Sequence, residues 1–390
     1  VRGQRVLMRV DFNVPLDQGQ ITDDLRIRAA MPSIESVIGR SGRLILMSHL
    51  GRPGGKGIEP EFSLAPVAEH LRMLLPGITV HFPGDDAAGD ASRMVKQGMS
   101  DGEILLLENL RFNAGEKKGD AEFAARLAEF ADIYCHNAFG TAHRNHASMV
   151  AVPEAMVGKP HVAGHLLQRE LTYLADTIEN ATRPFVAVLG GAKVSDKLGA
   201  IRNLMSLVDD ILIGGAMAYT FLVARGESVG RSLVEEDMIE EARALLMVRD
   251  GATIHLPSDH AVAEAFDSAA TPEIVAGPIP DDRMGLDIGP ATRDAYSAIL
   301  REAKTVVWNG PMGVFEFASF AAGTKTVAQA MADATAHGAV SVVGGGDSAA
   351  AADTFGLADR FSHVSTGGGA SLQMLEGRAF RSVELLDEAN

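Results

Sequence analysis

The chain has 390 residues, of which 46% are hydrophobic; this length favours two domains, because a single core rarely grows beyond roughly 250 to 300 residues. Its formal net charge of -16 argues against general nucleic-acid binding, which needs a net basic surface. A site for an anion must therefore be a local cluster of basic residues. The single cysteine, Cys135, excludes an intrachain disulfide and fits a reducing cytoplasm, although a secreted protein without disulfides would show the same.

The sequence predicts neither a membrane span nor a targeting peptide. The N-terminal stretch carries Arg5, Arg9 and Asp11 within its apolar run, which is typical of neither a signal peptide nor a membrane anchor. The longest uncharged apolar segment, 211–224, is fourteen residues long, short of the roughly 20 residues that a spanning helix needs. We therefore expect a cytoplasmic protein that binds neither nucleic acid nor membrane.

From the N-terminus onward, the chain repeats one pattern: a short β-branched or leucine-rich run, a turn, then an amphipathic stretch. The predicted strands are residues 5–10, 44–47, 78–82, 103–107 and 132–135 in the first half, and 185–189, 210–213, 253–256, 305–308 and 340–343 in the second. Nearly continuous apolar strands that alternate with helices indicate an α/β fold with parallel sheets covered on both faces. Two such sheets suit the length.

A helix is predicted at the boundary between the two halves. The stretch 165–182 contains neither Gly nor Pro, and its leucines and isoleucine repeat every three or four residues. We predict a first domain over 1–160, a connecting helix over 161–182 and a second domain over 183–370. The alternative is an ordinary surface helix inside one domain.

The residues that follow the strands differ in kind between the halves. Ligands bind beyond the carboxyl ends of parallel strands, so these positions indicate function. In the first half they carry charged and hydrogen-bonding side chains, namely Asp11, Asn13, His49, Arg52, Arg111, His143, Arg144 and His146, with Arg26 near enough in sequence to join them. Arginines and histidines grouped at one edge predict a pocket for a small, highly charged anion.

In the second half the strands end in glycine turns. The turns are LGGAKVSDK (189–197), IGGAMAYT (213–220), WNGPMGVFE (308–316), VGGGDSA (343–349) and VSTGGGAS (364–371). They suit a nucleotide, because backbone N–H groups can close around phosphates where no Cβ intervenes. After Gly344 to Gly346 a helix is predicted to begin at Asp347 and Ser348, with Asp347 placed to hold a divalent cation. Each turn alone is also an ordinary strand-to-helix connection.

A nucleotide in one half and a small anion in the other indicate transfer of a phosphoryl group. Lys193 and Lys197 are four residues apart, so on a helix that begins after the glycines both amines would lie on one face and neutralise that group. The alternative is a surface lysine pair. No general base is predicted, because a phosphate or carboxylate acceptor is already ionised.

Other motifs are excluded by their context or are missing from the sequence. The G-x-S-x-G match at 98–102 precedes a predicted strand, whereas a nucleophile elbow follows one. The sequence contains no Walker P-loop, no G-x-G-x-x-G fingerprint and no cysteine and histidine cluster with zinc spacing.

Eight motifs together resemble the phosphoglycerate kinase family, in the family's order and across essentially the whole chain. They are VDFNVP (10–15), MSHLGRP (47–53), LENLRF (107–112), FGTAHR (139–144), LGGAKVSDK (189–197), VWNGPMGVFE (307–316), GGGDS (344–348) and STGGGASL (365–372). The resemblance implies two Rossmann-like three-layer domains with a cleft between them. It also implies a monomer that needs Mg2+ and reversibly transfers the acyl phosphate of 1,3-bisphosphoglycerate to ADP, giving 3-phosphoglycerate and ATP by in-line transfer after domain closure.

The same resemblance assigns roles to individual residues. The glycerate substrate would be bound by Asp11, Phe12, Asn13, Arg26, His49, Leu50, Gly51, Arg52, Arg111 and Arg144. The nucleotide would be bound by Lys197, Gly214, Gly215, Asn309, Glu316, Gly345, Gly346, Asp347 and Ser348, with Glu316 at the ribose and Asp347 on the metal. The catalytic groups around the transferring phosphoryl would be Arg26, Lys193, Lys197 and the backbone at Gly367, Gly368 and Gly369.

The chain departs from the family pattern in three places. His136 and Asn137 stand where the family usually reads Asn-Asp, which removes a carboxylate near the loop that carries Arg144. Ser348 stands where threonine is common, which keeps the hydroxyl. The tail at 371–390, which the resemblance places against the first domain, lacks the usual Pro-Gly-Val after LEGRAF (375–380).

Two other classes of function remain as alternatives from the sequence. A nucleotide-sensing or scaffolding protein would bind both ligands without transfer, but the retained Arg26, Lys193, Lys197 and Asp347 argue against it. A dinucleotide dehydrogenase on a similar two-lobed sheet is disfavoured by the missing fingerprint. A coupled turnover assay separates all three.

Overall fold

The computed structural model describes residues 1–387, except for the side chains of residues 175, 176 and 179. The packing of the chain divides it into two compact units. The first unit comprises Val1–Glu170 together with the chain from Ala379 onward, and the second comprises Leu171–Arg378. Within the described chain, no helix is both long enough and apolar enough to cross a membrane.

The first unit is built on a parallel sheet. Its strands are β1 (Arg5–Val10), β2 (Leu16–Asp17), β3 (Gln20–Ile21), β4 (Arg43–Met47), β5 (Val80–His81), β6 (Ile104–Leu106), β7 (Ile133–Asn137) and β8 (His161–Ala163). The six-stranded sheet has the order β5-β6-β4-β1-β7-β8 with every pair parallel, and β2 and β3 form a separate hairpin. Its helices are α1 (Leu25–Ile38), α2 (Ala65–Leu74), α3 (Asp90–Gly98), α4 (Ala114–Lys118), α5 (Ala121–Ala128), α6 (Val152–Ala155) and α7 (His165–Leu171), whose last residue begins the second unit.

Both faces of this sheet are buried, which explains its continuous apolar strands. On β1, Val6 and Met8 join a core with Ile27 of α1, whereas Leu7 joins a second core with Phe123 of α5. Because successive side chains of a strand point to opposite faces, helices cover both sides of the sheet. The prediction of a three-layer α/β unit is confirmed here.

The second unit contains a parallel sheet and an additional antiparallel one. Its helices are α8 (Thr177–Glu179), α9 (Leu198–Leu204), α10 (Met217–Ala224), α11 (Ile239–Leu246), α12 (Pro290–Glu302), α13 (Ala322–Ala336), α14 (Gly346–Thr354) and α15 (Gly369–Leu375), and α16 (Arg381–Glu384) follows in the first unit. Its strands are β9 (Phe185–Leu189), β10 (Asp210–Ile213), β11 (Thr253–His255), β12 (Asp259–Ala263), β13 (Glu273–Ala276), β14 (Met284–Ile288), β15 (Thr305–Asn309), β16 (Val340–Gly344) and β17 (His363–Val364). The parallel sheet has the order β11-β10-β9-β15-β16-β17.

The boundary region and one sheet differ from the sequence prediction. Residues 161–163 do not begin a helix but form β8, which pairs in parallel with β7 and extends the first sheet. The helical stretch continues from α7 through a π-helical segment, Thr172–Asp176, to α8, and it ends before residue 180. The antiparallel sheet β13-β12-β14 was not predicted.

Candidate active site

The predicted anion-binding residues of the first unit lie beyond the carboxyl ends of its central strands. Asp11 to Asn13 follow β1, His49 to Arg52 follow β4, Arg111 follows β6 and Arg144 follows β7. These strands are neighbours in one parallel sheet, so the residues share one edge. The topology therefore brings together loops that are far apart in sequence, such as those of Asn13 and Arg144, which are 131 positions apart.

Hydrogen bonds between these loops fix the side chains relative to each other. Arg26 Nη1 lies 2.7 Å from Asp11 Oδ2, so the arginine does join the group at the sheet edge. Asn13 Oδ1 accepts a hydrogen bond from the Gly51 N–H at 2.8 Å. Arg111 Nη1 donates to the Gly51 carbonyl at 2.6 Å, which ties the loop after β6 to the loop after β4.

A network of hydrogen bonds between buried side chains holds His49 in place. Arg9 Nη2 lies 3.1 Å from His49 Nδ1; because a guanidinium can only donate, Nδ1 is the acceptor and the ring proton is on Nε2. Arg9 Nε donates to Ser148 Oγ at 2.9 Å, and Ser148 Oγ donates to Glu116 Oε1 at 2.7 Å. Arg9, Ser148 and Glu116 are completely buried. The network therefore fixes the His49 tautomer and leaves Nε2–H as its donor.

The electrostatics of this edge reflect a concentration of positive charge. Burial lowers the pKa of Arg111 to about 10, and the charges of Arg144 and Arg9 contribute to this lowering. Burial also lowers the pKa of Arg144, against the opposing effect of Asp11. Burial and then the neighbouring arginines hold the pKa of His49 well below its usual value, so it is neutral at physiological pH. An anionic ligand would relieve this mutual repulsion.

Several buried polar atoms at this edge have no hydrogen-bond partner within the described residues. They are Asp11 Oδ1, Arg111 Nε, His143 Nδ1 and His146 Nδ1. An unpaired buried polar group costs free energy, so such atoms are expected where a ligand or water completes the bonding. Arg52, by contrast, is exposed and reaches this group only through its charge, which lowers the pKa of Arg144.

A cleft of about 430 Å³ occupies the corresponding edge of the second unit. Its lining residues are Gly190, Gly191, Ala192, Lys193, Asp196, Lys197, Asn309, Gly310, Gly345, Gly346, Asp347, Ser348, Gly368, Gly369 and Leu372. They come from the end of β15, from the loops after β9, β15, β16 and β17, and from the beginnings of α14 and α15. Four of the five glycine turns predicted to hold a nucleotide, those at 189–197, 308–316, 343–349 and 364–371, thus meet in one place, with both lysines and the carboxylate of Asp347.

The two lysines lie on a loop, which contradicts the predicted helical pair. The helix α9 begins only at Leu198, and Lys197 is its N-cap residue. Glu235 holds the preceding loop, because its carboxylate accepts hydrogen bonds from the Val194 and Ser195 N–H groups and from Ser195 Oγ. These bonds give the backbone N–H groups of the loop an acceptor and fix its conformation. Both lysines still line the cleft.

Lys197 is the partly buried cation of the cleft. Its Nζ donates to Asn309 Oδ1. Burial lowers its pKa to about 8, whereas the charges of Asp347 and Asp196 act in the opposite direction. Asn309 Nδ2 is a buried donor without a partner among the described residues. It lies beside Gly345, where an added Cβ would be 3.3 Å from it. The cleft therefore offers both an ammonium and an amide donor to an anion.

The glycine turn after β16 has the geometry expected of an anion site. Gly345 has a φ of 90°, which side chains rarely adopt, and it is the N-cap of α14. Asp347 lies exposed in the first turn of α14. Ser348 does not cap the helix: its buried Oγ accepts a hydrogen bond from the Gly310 N–H at 2.6 Å and so joins two walls of the cleft.

Four predicted residues lie outside the lining of this cleft, as far as the described chain shows: Gly214, Gly215, Glu316 and Gly367. A Cβ on Gly215 would lie 2.5 Å from the Gly191 nitrogen, and one on Gly214 would lie 2.5 Å from the Met312 sulfur. Both glycines therefore permit close packing of neighbouring loops. Glu316 is exposed on the loop after β15. Gly367 is buried and donates to Ser365 Oγ at 3.0 Å.

Comparison with known proteins shows the family to which the chain belongs. The family profile described as phosphoglycerate kinase matches residues 1–378. The chain belongs to the phosphoglycerate kinase family. It is 59% identical to the phosphoglycerate kinase of Rhodopirellula baltica, covering 100% of this chain and 98% of that protein. It is 52% identical to that of Chlorobium phaeobacteroides, covering 99% and 97%.

Solved structures agree with this family assignment. A phosphoglycerate kinase structure from Coxiella burnetii matches with a TM-score of 0.88 and 39% identity, covering 98% of this chain and 95% of that one. The structure from Pyrococcus horikoshii OT3 matches with a TM-score of 0.82 and 30% identity, covering 99% and 96%. As a member of the phosphoglycerate kinase family, the chain is an enzyme, a kinase that transfers phosphate to a carboxyl group.

The sequence did not predict the residues whose hydrogen bonds hold the phosphoglycerate kinase motifs in place. Arg9 carried a usable signal, because a charge inside the apolar run RVLMRV must be buried if both sheet faces are covered. Glu116 carried no such signal of burial, because its surrounding sequence, AGEKKGD, is typical of an exposed charged turn. Glu235, which holds the lysine loop, lies 38 residues after Lys197 with no local pattern to mark it.

Proposed function

We propose that the first unit binds 3-phosphoglycerate or 1,3-bisphosphoglycerate and that the second binds ADP or ATP with Mg2+. The chain would then carry out the reversible transfer of the acyl phosphate of 1,3-bisphosphoglycerate to ADP. The observation that carries this proposal is the excess of cations at the edge of the first sheet, where Arg26, Arg111 and Arg144 share the neighbouring carboxylate Asp11. In a chain of net charge -16, such an excess supports an anionic ligand.

The proposed glycerate site uses a rigid group of donors. His49, as the neutral Nε2–H tautomer, and the guanidinium groups of Arg26, Arg111 and Arg144 would donate to the carboxylate and phosphate of the substrate. Asp11, which orients Arg26, would accept from the substrate hydroxyl through its unpaired Oδ1. Phe12, Leu50 and Arg52 belong to the same loops and complete the proposed site.

The proposed nucleotide site is the glycine-walled cleft. Lys197 and the start of α14 would bind the phosphates, and Glu316 would bind the ribose. Mg2+ in nucleotide sites takes one or two carboxylates together with phosphate oxygens and water. The exposed carboxylate of Asp347, in the first turn of α14, fits that requirement, so we propose it as the metal ligand.

The proposed transfer needs charge neutralisation rather than a base. A β-phosphate oxygen of ADP would attack the acyl phosphate as its bond to the carboxyl oxygen breaks, and in the reverse direction the carboxylate is already ionised. Arg26, Lys193, Lys197 and the N–H groups near Gly367 and Gly368 would stabilise the transferring group. As in the family resemblance, we propose in-line transfer after domain closure, in a cytoplasmic monomer.

The decisive experiment is turnover of 3-phosphoglycerate with ATP and Mg2+ by the purified chain, followed by a coupled assay for 1,3-bisphosphoglycerate. We expect saturation by both substrates and loss of rate when EDTA removes the metal. Calorimetric binding of ADP and 3-phosphoglycerate without any turnover would favour the sensing alternative and refute the proposal.

Asp347→Asn is expected to weaken binding of the Mg-nucleotide selectively. The change removes a carboxylate charge but keeps the size, so Mg-ADP affinity should fall by at least about tenfold, while 3-phosphoglycerate affinity changes by less than about twofold. Titration calorimetry with each ligand measures both. Asp353→Asn, an exposed residue later in α14, is the matched control. Equal losses for the two ligands would contradict the assignment.

Nucleotide binding is also expected to weaken at alkaline pH. Lys197 has a pKa lowered to about 8 by burial, so its ammonium is present below that pH and is lost as the pH rises through it. Mg-ADP affinity should therefore fall by about fivefold between pH 8 and pH 9 if only the charged form binds. Titrations of the wild type and of Lys197→Arg, which stays charged, should differ in this range. Parallel pH profiles would exclude Lys197 as the titrating group.

A further inference from the structure

Two of the segments in which the sequence departs from the family pattern meet inside the first unit. His136 lies near the carboxyl end of β7, and Ser382 belongs to α16 in the C-terminal segment. His136 Nε2 lies 3.3 Å from Ser382 Oγ, although 246 residues separate them in sequence. Both residues are completely buried. The contact is therefore a buried polar link between a sheet strand and the tail.

The directions of the hydrogen bonds in this link follow from chemistry. The Ala138 N–H donates to His136 Nδ1 at 3.2 Å, so the ring proton is on Nε2. Ser382 Oγ donates its single proton to the Ala142 carbonyl at 2.7 Å and therefore accepts from His136 Nε2–H. Each of these three donors thus has an acceptor. Burial lowers the pKa of His136 to about 3, so the neutral ring persists at physiological pH.

The link contacts the backbone of Ala138 and Ala142, which lie at the two ends of a turn just before Arg144. Between Ala138 and Ala142 the chain makes a short 3-10 helix, Phe139–Thr141. The Arg144 N–H then donates to the Thr141 carbonyl at 3.0 Å. Ser382, together with His136, consequently bridges the two ends of the turn on which Arg144 depends.

Other contacts of the tail are apolar, exposed or only partly buried, such as the 3.0 Å contact between His161 Nδ1 and the Leu385 carbonyl. The ring of Phe380 lies 6.3 Å from that of Phe139, between centroids. Arg381 Nη2 lies 3.2 Å from Glu154 Oε1, and both side chains are about half exposed, at 51% and 46%. Exposed ion pairs contribute little to stability, whereas a buried donor or acceptor left unpaired is costly. Loss of the polar pair His136 and Ser382 would therefore disturb the docked tail more than loss of the exposed ion pair.

We propose that His136 and Ser382 are positioning residues that lock the C-terminal segment onto the loop carrying Arg144, and that this lock maintains the affinity for the anionic glycerate substrate. The second half of this statement rests on the proposed function of Arg144. The first half concerns packing within one unit and is independent of it.

The test compares Ser382→Ala, His136→Asn and the double variant with the wild type. Ser382→Ala leaves His136 Nε2–H and the Ala142 carbonyl without their partner, so amide hydrogen exchange should rise in residues 138–144 and 379–387. The affinity for 3-phosphoglycerate, measured by calorimetry, should fall by about tenfold, and that for Mg-ADP by less than about twofold. The double variant should be no worse than the more damaging single one, because the two residues act as one unit.

Arg381→Ala is the matched control, since it removes the exposed ion pair from the same helix and should leave all three measurements near wild type. Unchanged exchange at 138–144 in both single variants would overturn the lock. Raised exchange with unchanged 3-phosphoglycerate affinity would overturn the positioning role alone. If the wild type itself bound no 3-phosphoglycerate, the proposed function and the positioning role would both fail, while exchange would still decide on the lock.

Discussion

Lys197→Ala is expected to lower kcat on the order of 1,000-fold, which is the scale of removing a preorganised cation from a phosphoryl-transfer site. Lys197 is the partly buried ammonium of the glycine-walled cleft, held by Asn309 Oδ1 and interacting with the charge of Asp347. The change would also leave the Asn309 amide oxygen without this donor. We therefore expect this loss of kcat to persist at saturating substrates, in addition to weaker Mg-ADP binding.

Steady-state kinetics of 3-phosphoglycerate phosphorylation measure this effect. Lys325→Ala serves as the control, because Lys325 is an exposed lysine of α13 outside the cleft and should keep wild-type kinetics. Lys197→Arg keeps the charge but not the compact ammonium, so it should recover part of the rate. A loss of less than about tenfold for Lys197→Ala would mean that another group neutralises the transferring phosphoryl.

The parallel sheets could be predicted because each of their strands carries a recognisable pattern within its own residues. A strand buried on both faces must be apolar at nearly every position, as in β1 and β9, where burial is almost complete. Each predicted apolar run overlaps a strand of the structure. The rule that ligands bind beyond the carboxyl ends of parallel strands then located the loops of both sites, because it depends only on strand direction.

The antiparallel sheet could not be recognised in the same way. Its edge strand β13, Glu273–Ala276, is mostly exposed and has no long apolar run, and β14 contains both a glycine and the buried Asp287. Pairing with β12 stabilises these strands through long-range backbone hydrogen bonds. Strand formation that depends on cross-strand partners has no signature within the strand itself.

The position of the lysine loop was predicted wrongly for a related reason. A spacing of four residues fits a helix, but it fits a loop equally well when a distant side chain holds that loop in place. Glu235 does so by accepting from two backbone N–H groups of the loop. Such capping from a remote segment is visible only in three dimensions.

Loss of the buried network next to the proposed glycerate site is expected to have the second large effect. Arg9 is a completely buried guanidinium, and the carboxylate connected to it through Ser148 is Glu116, also completely buried. Glu116 Oε2 further accepts from the Ser148 N–H at 3.0 Å. A buried charge whose partner is removed is strongly destabilising, because neither water nor a counter-charge compensates it.

Glu116→Gln is therefore expected to destabilise the first unit by about 3 kcal/mol. The amide keeps the volume of the side chain, but it removes the carboxylate charge that is linked to Arg9 through Ser148, and it can turn an N–H2 group toward the Ser148 N–H or Oγ–H, which are donors themselves. Hydrogen exchange of the β1 and β7 amides reports the first unit separately from the second. Glu122→Gln, at an exposed position of α5, should change the same amides little. Equal hydrogen exchange of these amides in the two variants would contradict this prediction and mean that a group other than Glu116 compensates the charge of Arg9. Asp11, whose Oδ1 lies 3.8 Å from His49 Nδ1, would then be the next residue to replace.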